Sequence, residues 1–375
     1  MLDFRGVGRT TSISPVTWVD GWPYFGLPNN LGRTPRTWLK PNVSAKATPV
    51  APYTRSDSFD GKKLQAVWQW NHDADNKMWN LKGGTFNVTA QPARDLLWAR
   101  NMLTQRCIGP VSTATVTLYT KTMKDGDFAG LGLLNTPYLV IGVKKDGKNQ
   151  TLVMLDQASK QKKEIAFSGD KVYLRATGDY DEEWAQVSYS LDGKNFENVS
   201  DKMLLSYQML TFQGSRYALF AFNEKGKNGG VAKFDDFVMD EPMADRSGNL
   251  PVGKVISMKN LCNDSYAWAN PHGMLHKANK DSREYNNKGC FFKVHDRGNG
   301  QVALEAMNGT GFLTVVGVGL SADVRLCEKE SEGSLFMWQD MLRNQCMLLS
   351  MKTQRYVGID PTNGAPYSAL KTGCN

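Results

Sequence analysis

The sequence predicts an all-β chain: a two-sheet sandwich, then a repeat domain of β-trefoil type, with an extended tail in front. Three observations carry this reading. Short alternating apolar and polar runs recur across positions 56–245 at strand-and-turn spacing. A segment of about 40 residues recurs after position 250. Residues 1–55 are rich in Pro, Gly, Trp and Arg and show few strand-length alternations.

The tail comes first. Pro28, Pro35, Pro41, Pro49 and Pro52 punctuate it. Each fixes φ and removes an amide donor, which favours an extended path. Trp18, Trp22, Tyr24, Phe25 and Trp38 are too many large apolar groups for a freely solvated linker, so this segment is expected to pack against a surface.

The sandwich block, 56–245, has runs such as Thr85–Thr89, Thr113–Tyr119, Tyr138–Val143 and Ala185–Leu191. Asp125-Gly126, Asp146-Gly147 and Asp192-Gly193 lie between such runs. Gly accepts positive φ without steric cost, so each pair predicts a hairpin turn.

In the block 250–375, Phe292-Lys293-Val294 matches Phe336-Met337-Trp338 at an offset of 44. The same offset pairs Gln301 with Gln345, Leu304 with Leu348, Met307 with Met351 and Phe312 with Tyr356. A degenerate first copy holds Val255–Met258 and Tyr266-Ala267-Trp268 but lacks the leading strand. Three all-β copies of this length predict a β-trefoil. A closed trefoil would take the absent strand from beyond Asn375, so the domain reads as truncated.

Composition excludes several classes. Hydrophobic residues make up 41% and charged residues 22%, which is globular rather than disordered. No run approaches the ~18 apolar residues of a membrane span. Net charge is +8, but the sandwich block carries 23 basic against 24 acidic residues. A nucleic-acid partner would need a basic footprint on a folded module, so none is expected.

Candidate chemistry is sparse. Five of the six cysteines (Cys262, Cys290, Cys327, Cys346 and Cys374) fall in the last block, with Cys107 in the sandwich. No Cys-x-x-Cys pair is present, which argues against zinc and leaves disulfides and buried thiols both open. His272 and His276 have i, i+4 spacing, but Pro271 and Gly273 beside them remove the helix that would make it useful. His72 reads as a structural hydrogen-bonding residue. Asp57 and Asp60 open the sandwich, and Asp235 with Asp236 closes it. First and last strands often adjoin, so Asp57, Asp60 and Asp235 could share a structural calcium; otherwise they are turn and edge carboxylates. Trp68, Trp70, Trp79, Trp98 and Trp184 are core rings or sugar-stacking platforms. No Ser-His-Asp array, phosphate loop or dinucleotide glycine pattern is present, and no cofactor is expected.

Several segments resemble the C-terminal part of glycoside hydrolase family 43. Trp18-Val19-Asp20-Gly21-Trp22-Pro23 looks like the segment that closes that family's catalytic propeller. Ser56–Gly61, Trp68–His72, Ala99–Arg106, Gly126–Leu131 and Phe212-Gln213-Gly214 resemble its C-terminal concanavalin A-like sandwich, also called carbohydrate-binding module family 91. The likeness spans roughly residues 5–242 and omits 250–375. It implies inverting β-xylosidases and α-L-arabinofuranosidases acting on xylan or arabinoxylan, exported to the periplasm or outside the cell. Their catalytic carboxylates lie on a propeller N-terminal to everything here, so the resemblance implies an accessory portion that is inactive alone. The competing reading is a free-standing carbohydrate-binding protein of sandwich plus trefoil. Gly8–Ile13 resembles the final propeller strand, which would make Arg9 a substrate-contacting arginine. Aligning on Phe212-Gln213-Gly214 puts Arg216 where β-xylosidases of the family place a pocket-closing aromatic. That departure implies an arabinofuranoside or branched substrate.

Overall fold

The computed structural model describes residues 6–8, 14–28, 31–32, 54–207, 211, 213–241, 250–261, 264–318, 322–341, 345–359 and 366–370. The chain divides into two compact units, residues 1–12 with 45–244 and residues 13–44 with 245–375.

The first unit is a sandwich of two eight-stranded sheets. In the first sheet the order is Gln161–Phe167, Asn149–Asp156, Leu139–Asp146, Asp127–Leu134, Arg216–Asn223, Leu103–Arg106 and Gln69–Trp70, with Gln91–Pro92 pairing parallel to Arg216–Asn223. The second runs Glu197–Asn198, Trp184–Ser190, Lys171–Asp179, Val111–Tyr119, Val231–Asp240, Phe86–Thr89 and Trp79–Leu81, with Met203–Leu204 beside Trp184–Ser190.

Period-two alternation builds the core between the sheets. Leu131, Leu133, Ile141, Leu152, Tyr217 and Leu219 point inward from the first sheet. Val116, Leu118, Leu174, Ala176, Val187 and Phe234 meet them from the second. Phe59, Trp68 and Phe86 close one end as a ring cluster, with Trp68 edge-on to Phe237 at 4.8 Å. The first sheet is buried on its other face too. Phe128, Val140, Val153, Ala218, Phe220 and Phe222 form a second core there with Leu96, Ala99 and Met102. This explains why Asp127–Leu134 reads as a continuous apolar run rather than an alternating one.

Two of the three Asp-Gly pairs make hairpins. Asp146-Gly147 turns Leu139–Asp146 into Asn149–Asp156, and Asp192-Gly193 turns Trp184–Ser190 toward Glu197–Asn198. Asp125-Gly126 instead carries the chain from one sheet to the other, because Val111–Tyr119 and Asp127–Leu134 lie in different sheets. Gly126 takes φ +87° there, so the turn chemistry is right although no hairpin forms.

In the second unit, the tail forms a hairpin that its proline content hides. Val16–Val19 pairs antiparallel with Trp22–Phe25. The turn residues Asp20 and Gly21 have φ of 49° and 80°, a combination suited to two-residue hairpins. Trp18 and Trp22 are 67% and 68% exposed.

The offset of 44 is visible in the strands. Phe291–Asp296, Gln301–Ala306, Gly311–Val316 and Asp323–Cys327 recur as Phe336–Asp340, Cys346–Ser350, Tyr356–Ile359 and Pro366–Leu370. Phe292 and Phe336 are both fully buried. The first copy has three strands, Val255–Ser257, Tyr266–Ala269 and Leu275–Ala278. Val255–Ser257 pairs with Phe291–Asp296, and Gln301–Ala306 pairs with Phe336–Asp340.

Cys107, Cys290, Cys327 and Cys346 are free thiols; Cys262 and Cys374 lie outside the described residues. Cys107 sits in the sandwich core, where burial pushes its thiol up to about 12, partly offset by Tyr180, Arg55 and Tyr217. Burial raises Tyr180 and Tyr217 as well. An unfolded thiol ionises near ~8.5. Between that pH and about 12, the unfolded chain binds fewer protons at Cys107 than the native one, so stability falls as pH rises. Urea midpoints of the sandwich are expected to drop from pH ~9 to ~10, and less steeply in Cys107→Ala. Equal slopes in the two proteins would remove Cys107 as the cause.

Candidate functional site

Arg216 opens the strand Arg216–Asn223, which lies between Asp127–Leu134 and Leu103–Arg106. Tyr217 points into the core, where its hydroxyl donates to the Ser112 carbonyl. Alternation therefore puts Arg216 on the opposite face, with Ala218 and Phe220. It is half-buried and donates from Nη1 to Thr104 Oγ1 at 3.3 Å. Arg106 is its cross-strand partner. Burial first, and then the Arg106 charge, hold the Arg216 guanidinium below its usual range. Among the described residues neither arginine has an ion-pair partner.

Just before Arg216 the chain meets Gly6-Val7-Gly8. The Ser215 amide donates to the Gly6 carbonyl at 2.8 Å. Gly8 takes φ +94°, and a Cβ there would lie 2.6 Å from the Gly214 nitrogen. A Cβ on Gly214 would lie 2.2 Å from the Val7 carbonyl carbon. Neither position has room for a side chain, so two glycines let two backbones interlock. Val7 also reaches toward Gly109, and Gly6 lies against Leu205 and Tyr180. The sequence singles out Gly8–Ile13 and Phe212-Gln213-Gly214 but not Gly6-Val7 or this interlock; the glycines at 6, 8 and 214 were the available signal. Arg9 and Phe212 fall outside the described residues.

Of the candidate calcium carboxylates, Asp57 has other work. Asp57 pairs through its backbone with Phe237, so the first and last strands do adjoin. Its Oδ1 accepts from the Phe59 amide and its Oδ2 from Trp68 Nε1, both at 2.8 Å. Both oxygens thus anchor the ring cluster. Asp235 stands at a bulge in Val231–Asp240. Burial, with the Asp236 and Asp60 charges, pushes its carboxyl up. Among the described residues no group of three His, Cys, Asp or Glu side chains is placed to hold a metal ion. Asp57, Asp60 and Asp235 therefore do not meet as such a group, and both oxygens of Asp57 are already engaged.

His72 Nε2 bonds the Leu97 carbonyl at 2.9 Å, a structural contact that ties the loop to the segment covering the first sheet. His276 lies on the strand Leu275–Ala278, so the His272/His276 spacing has no helix to act on. Trp68 belongs to the core, and Trp70 and Trp79 pack against it. Trp98 is exposed beneath the Arg94 guanidinium, and Trp184 carries Lys202 over its ring.

A family profile described as the beta xylosidase C-terminal concanavalin A-like domain matches residues 56–240. A putative beta-xylosidase of Xylanibacter ruminicola is 30% identical over 205 residues, covering 53% of this chain and 37% of that protein. A beta-xylosidase of Formosa agariphila is 29% identical over 262 residues, covering 62% of this chain and 43% of that protein. The chain thus spans less than half the length of these curated relatives. A bifunctional GH43-CE protein of Bacteroides eggerthii has a solved structure that aligns with TM-score 0.53 and 34% identity, covering 65% of this chain and 32% of that one. The two-sheet core, its closing Asp57–Phe237 pairing and these matches agree: residues 56–240 form a C-terminal concanavalin A-like sandwich of the glycoside hydrolase family 43 type.

Proposed function

We propose that this chain is the C-terminal accessory portion of an inverting glycoside hydrolase family 43 enzyme that cleaves xylan or arabinoxylan, as a β-xylosidase or α-L-arabinofuranosidase. The sandwich supports a catalytic propeller on the same polypeptide and shapes the edge of its sugar pocket. The observation that supports this reading is the interlock of Gly6-Val7-Gly8 with Gly214-Ser215. Gly8, the first residue of the segment resembling the last propeller strand, is backed directly onto Gly214, two residues before the sandwich strand that begins with Arg216. The lengths of the curated relatives agree with a longer polypeptide.

In this reading Arg9 donates to sugar hydroxyls and Arg216 replaces the pocket-closing aromatic with a polar fork. Hydrogen bonds to a charged group are worth more than neutral ones. In the propeller-bearing protein, Arg9→Ala is therefore expected to lower kcat/KM by roughly 10–150-fold. Arg216→Ala is expected to change the preference between aryl xylosides and aryl arabinofuranosides. Wild-type kinetics on both substrates in both variants would take these residues out of the pocket.

A further inference from the structure

Arg106 and Arg216 stand opposite each other on adjacent strands of the first sheet. Like charges directly across a strand pair destabilise it, so folding alone does not account for the two together. We propose that the two guanidinium groups jointly take a carboxylate carried by the substrate, so that the branch accepted here bears a uronic acid. The proposal rests on the enzyme reading above and names the substrate class of that same site.

Alternation and register bring the groups together. Leu103, Cys107, Tyr217 and Leu219 point into the core. Thr104, Arg106, Arg216 and Ala218 consequently point the other way. Arg216 has Arg106 across one strand boundary and the buried Leu134 across the other. Thr104 lies one step along, opposite Ala218. Its hydroxyl donates to the Gln69 carbonyl at 2.9 Å and accepts from Arg216 Nη1 at 3.3 Å. The threonine proton is thus committed, and its oxygen holds one edge of the guanidinium in place.

The neighbourhood leaves the pair unbalanced. Arg55 donates to the Arg106 carbonyl and pairs with Glu241 at 3.2 Å, so that carboxylate is already engaged. Neither Arg106 nor Arg216 has a carboxylate partner among the described residues, although the block 56–245 as a whole carries 23 basic and 24 acidic residues. The Arg106 charge helps to hold Arg216 below its usual range, an effect that an anion between them would reverse. A carboxylate presents two coplanar oxygens and a guanidinium two parallel N–H donors, so the fit is bidentate as well as electrostatic. Thr104 presets Arg216 for one oxygen. The Arg106 side chain is exposed and has no hydrogen-bond partner among the described residues, so it is free to close on the other. A neutral branch would leave the half-buried guanidinium without a counter-charge.

Calorimetric titration of the full chain tests this with two probes: a xylo-oligosaccharide bearing one glucuronic acid branch, and the same compound with its carboxyl group reduced to the alcohol. The acid is expected to bind saturably and at least about tenfold more tightly than the reduced form, with an affinity that falls as salt rises. Arg106→Gln is expected to remove most of that preference. Arg216→Lys, which keeps the charge but loses the fork, should weaken it in part. Arg106 is exposed, so its variant serves even where a change at Arg216 disturbs the sheet. Four outcomes overturn the proposal: no binding of the acid, equal binding of acid and reduced form, an undiminished preference in Arg106→Gln, or displacement of the acid by an equal concentration of inorganic sulfate or phosphate. The last would mark a general anion site. The enzyme reading is judged separately, by the kinetics of the Arg9 and Arg216 variants on aryl glycosides, which carry no acid group. Loss of that reading would leave the measured preference for the acid as it stands.

Discussion

Purified alone, residues 1–375 are expected to leave aryl xylosides and aryl arabinofuranosides intact, while the propeller-bearing polypeptide hydrolyses at least one of them with inversion. Inverting hydrolysis needs a carboxylic acid and a carboxylate about 6.5–9.5 Å apart with a water between them. Such assistance contributes typically ~10²–10⁴-fold, and the pocket geometry adds to it. The arginine side of the candidate site offers cations and a threonine, with no carboxylate paired to Arg106 or Arg216 among the described residues. The strongest internal rival is Asp235, whose carboxyl is held above the usual range as a general acid requires. Its neighbours Asp60 and Asp236 contribute to that shift, which suits crowded edge carboxylates as well as catalysis. The measurement is release of nitrophenol by the chain with and without Asp235→Asn. Turnover by the chain that disappears in Asp235→Asn would relocate the catalytic centre to the sandwich and end the accessory reading.

The strands of the sandwich were legible because alternation and turn chemistry are local. Runs such as Thr113–Tyr119 and Ala185–Leu191 fall within Val111–Tyr119 and largely within Trp184–Ser190. Local signals also set the limit. Asp125-Gly126 and Asp146-Gly147 look alike in sequence, yet one crosses between sheets and the other joins neighbours. The difference lies in which sheet the next strand enters, a long-range choice. The Asp20-Gly21 hairpin was hidden by the prolines around it, although its turn pair was present. Among candidate sites, adjacency of the first and last strands followed from the fold type, but the fate of Asp57 did not. Its oxygens go to Phe59 and Trp68, contacts that only the folded ring cluster creates.

Gly214→Val is expected to separate the two backbones on which the proposed pocket depends. The added Cβ would fall 2.2 Å from the carbon and oxygen of the Val7 carbonyl and 2.6 Å from the Gly8 nitrogen. All three are backbone atoms, so no rotamer change relieves the overlap. Gly8 cannot yield by changing partners either, because its φ of +94° already requires glycine. The easier relief is loss of the Ser215–Gly6 hydrogen bond and departure of residues 6–8 from the sandwich. The sandwich core itself is made by Tyr217, Leu219 and their partners and needs nothing from Gly6-Val7-Gly8, so the fold should persist. In the chain studied alone, limited proteolysis is then expected to cut near residues 6–8 faster than in wild type, with the sandwich fragment still resistant. In the propeller-bearing protein the consequence is larger, because a misplacement of about 1 Å near a pocket can cost ~10²-fold in rate. kcat/KM on the preferred aryl glycoside should fall by about that factor while the circular dichroism spectrum stays that of a β protein. Wild-type cleavage rates together with wild-type kinetics would mean that the Gly8–Gly214 contact positions nothing, and that the sandwich accompanies the enzyme without shaping its site.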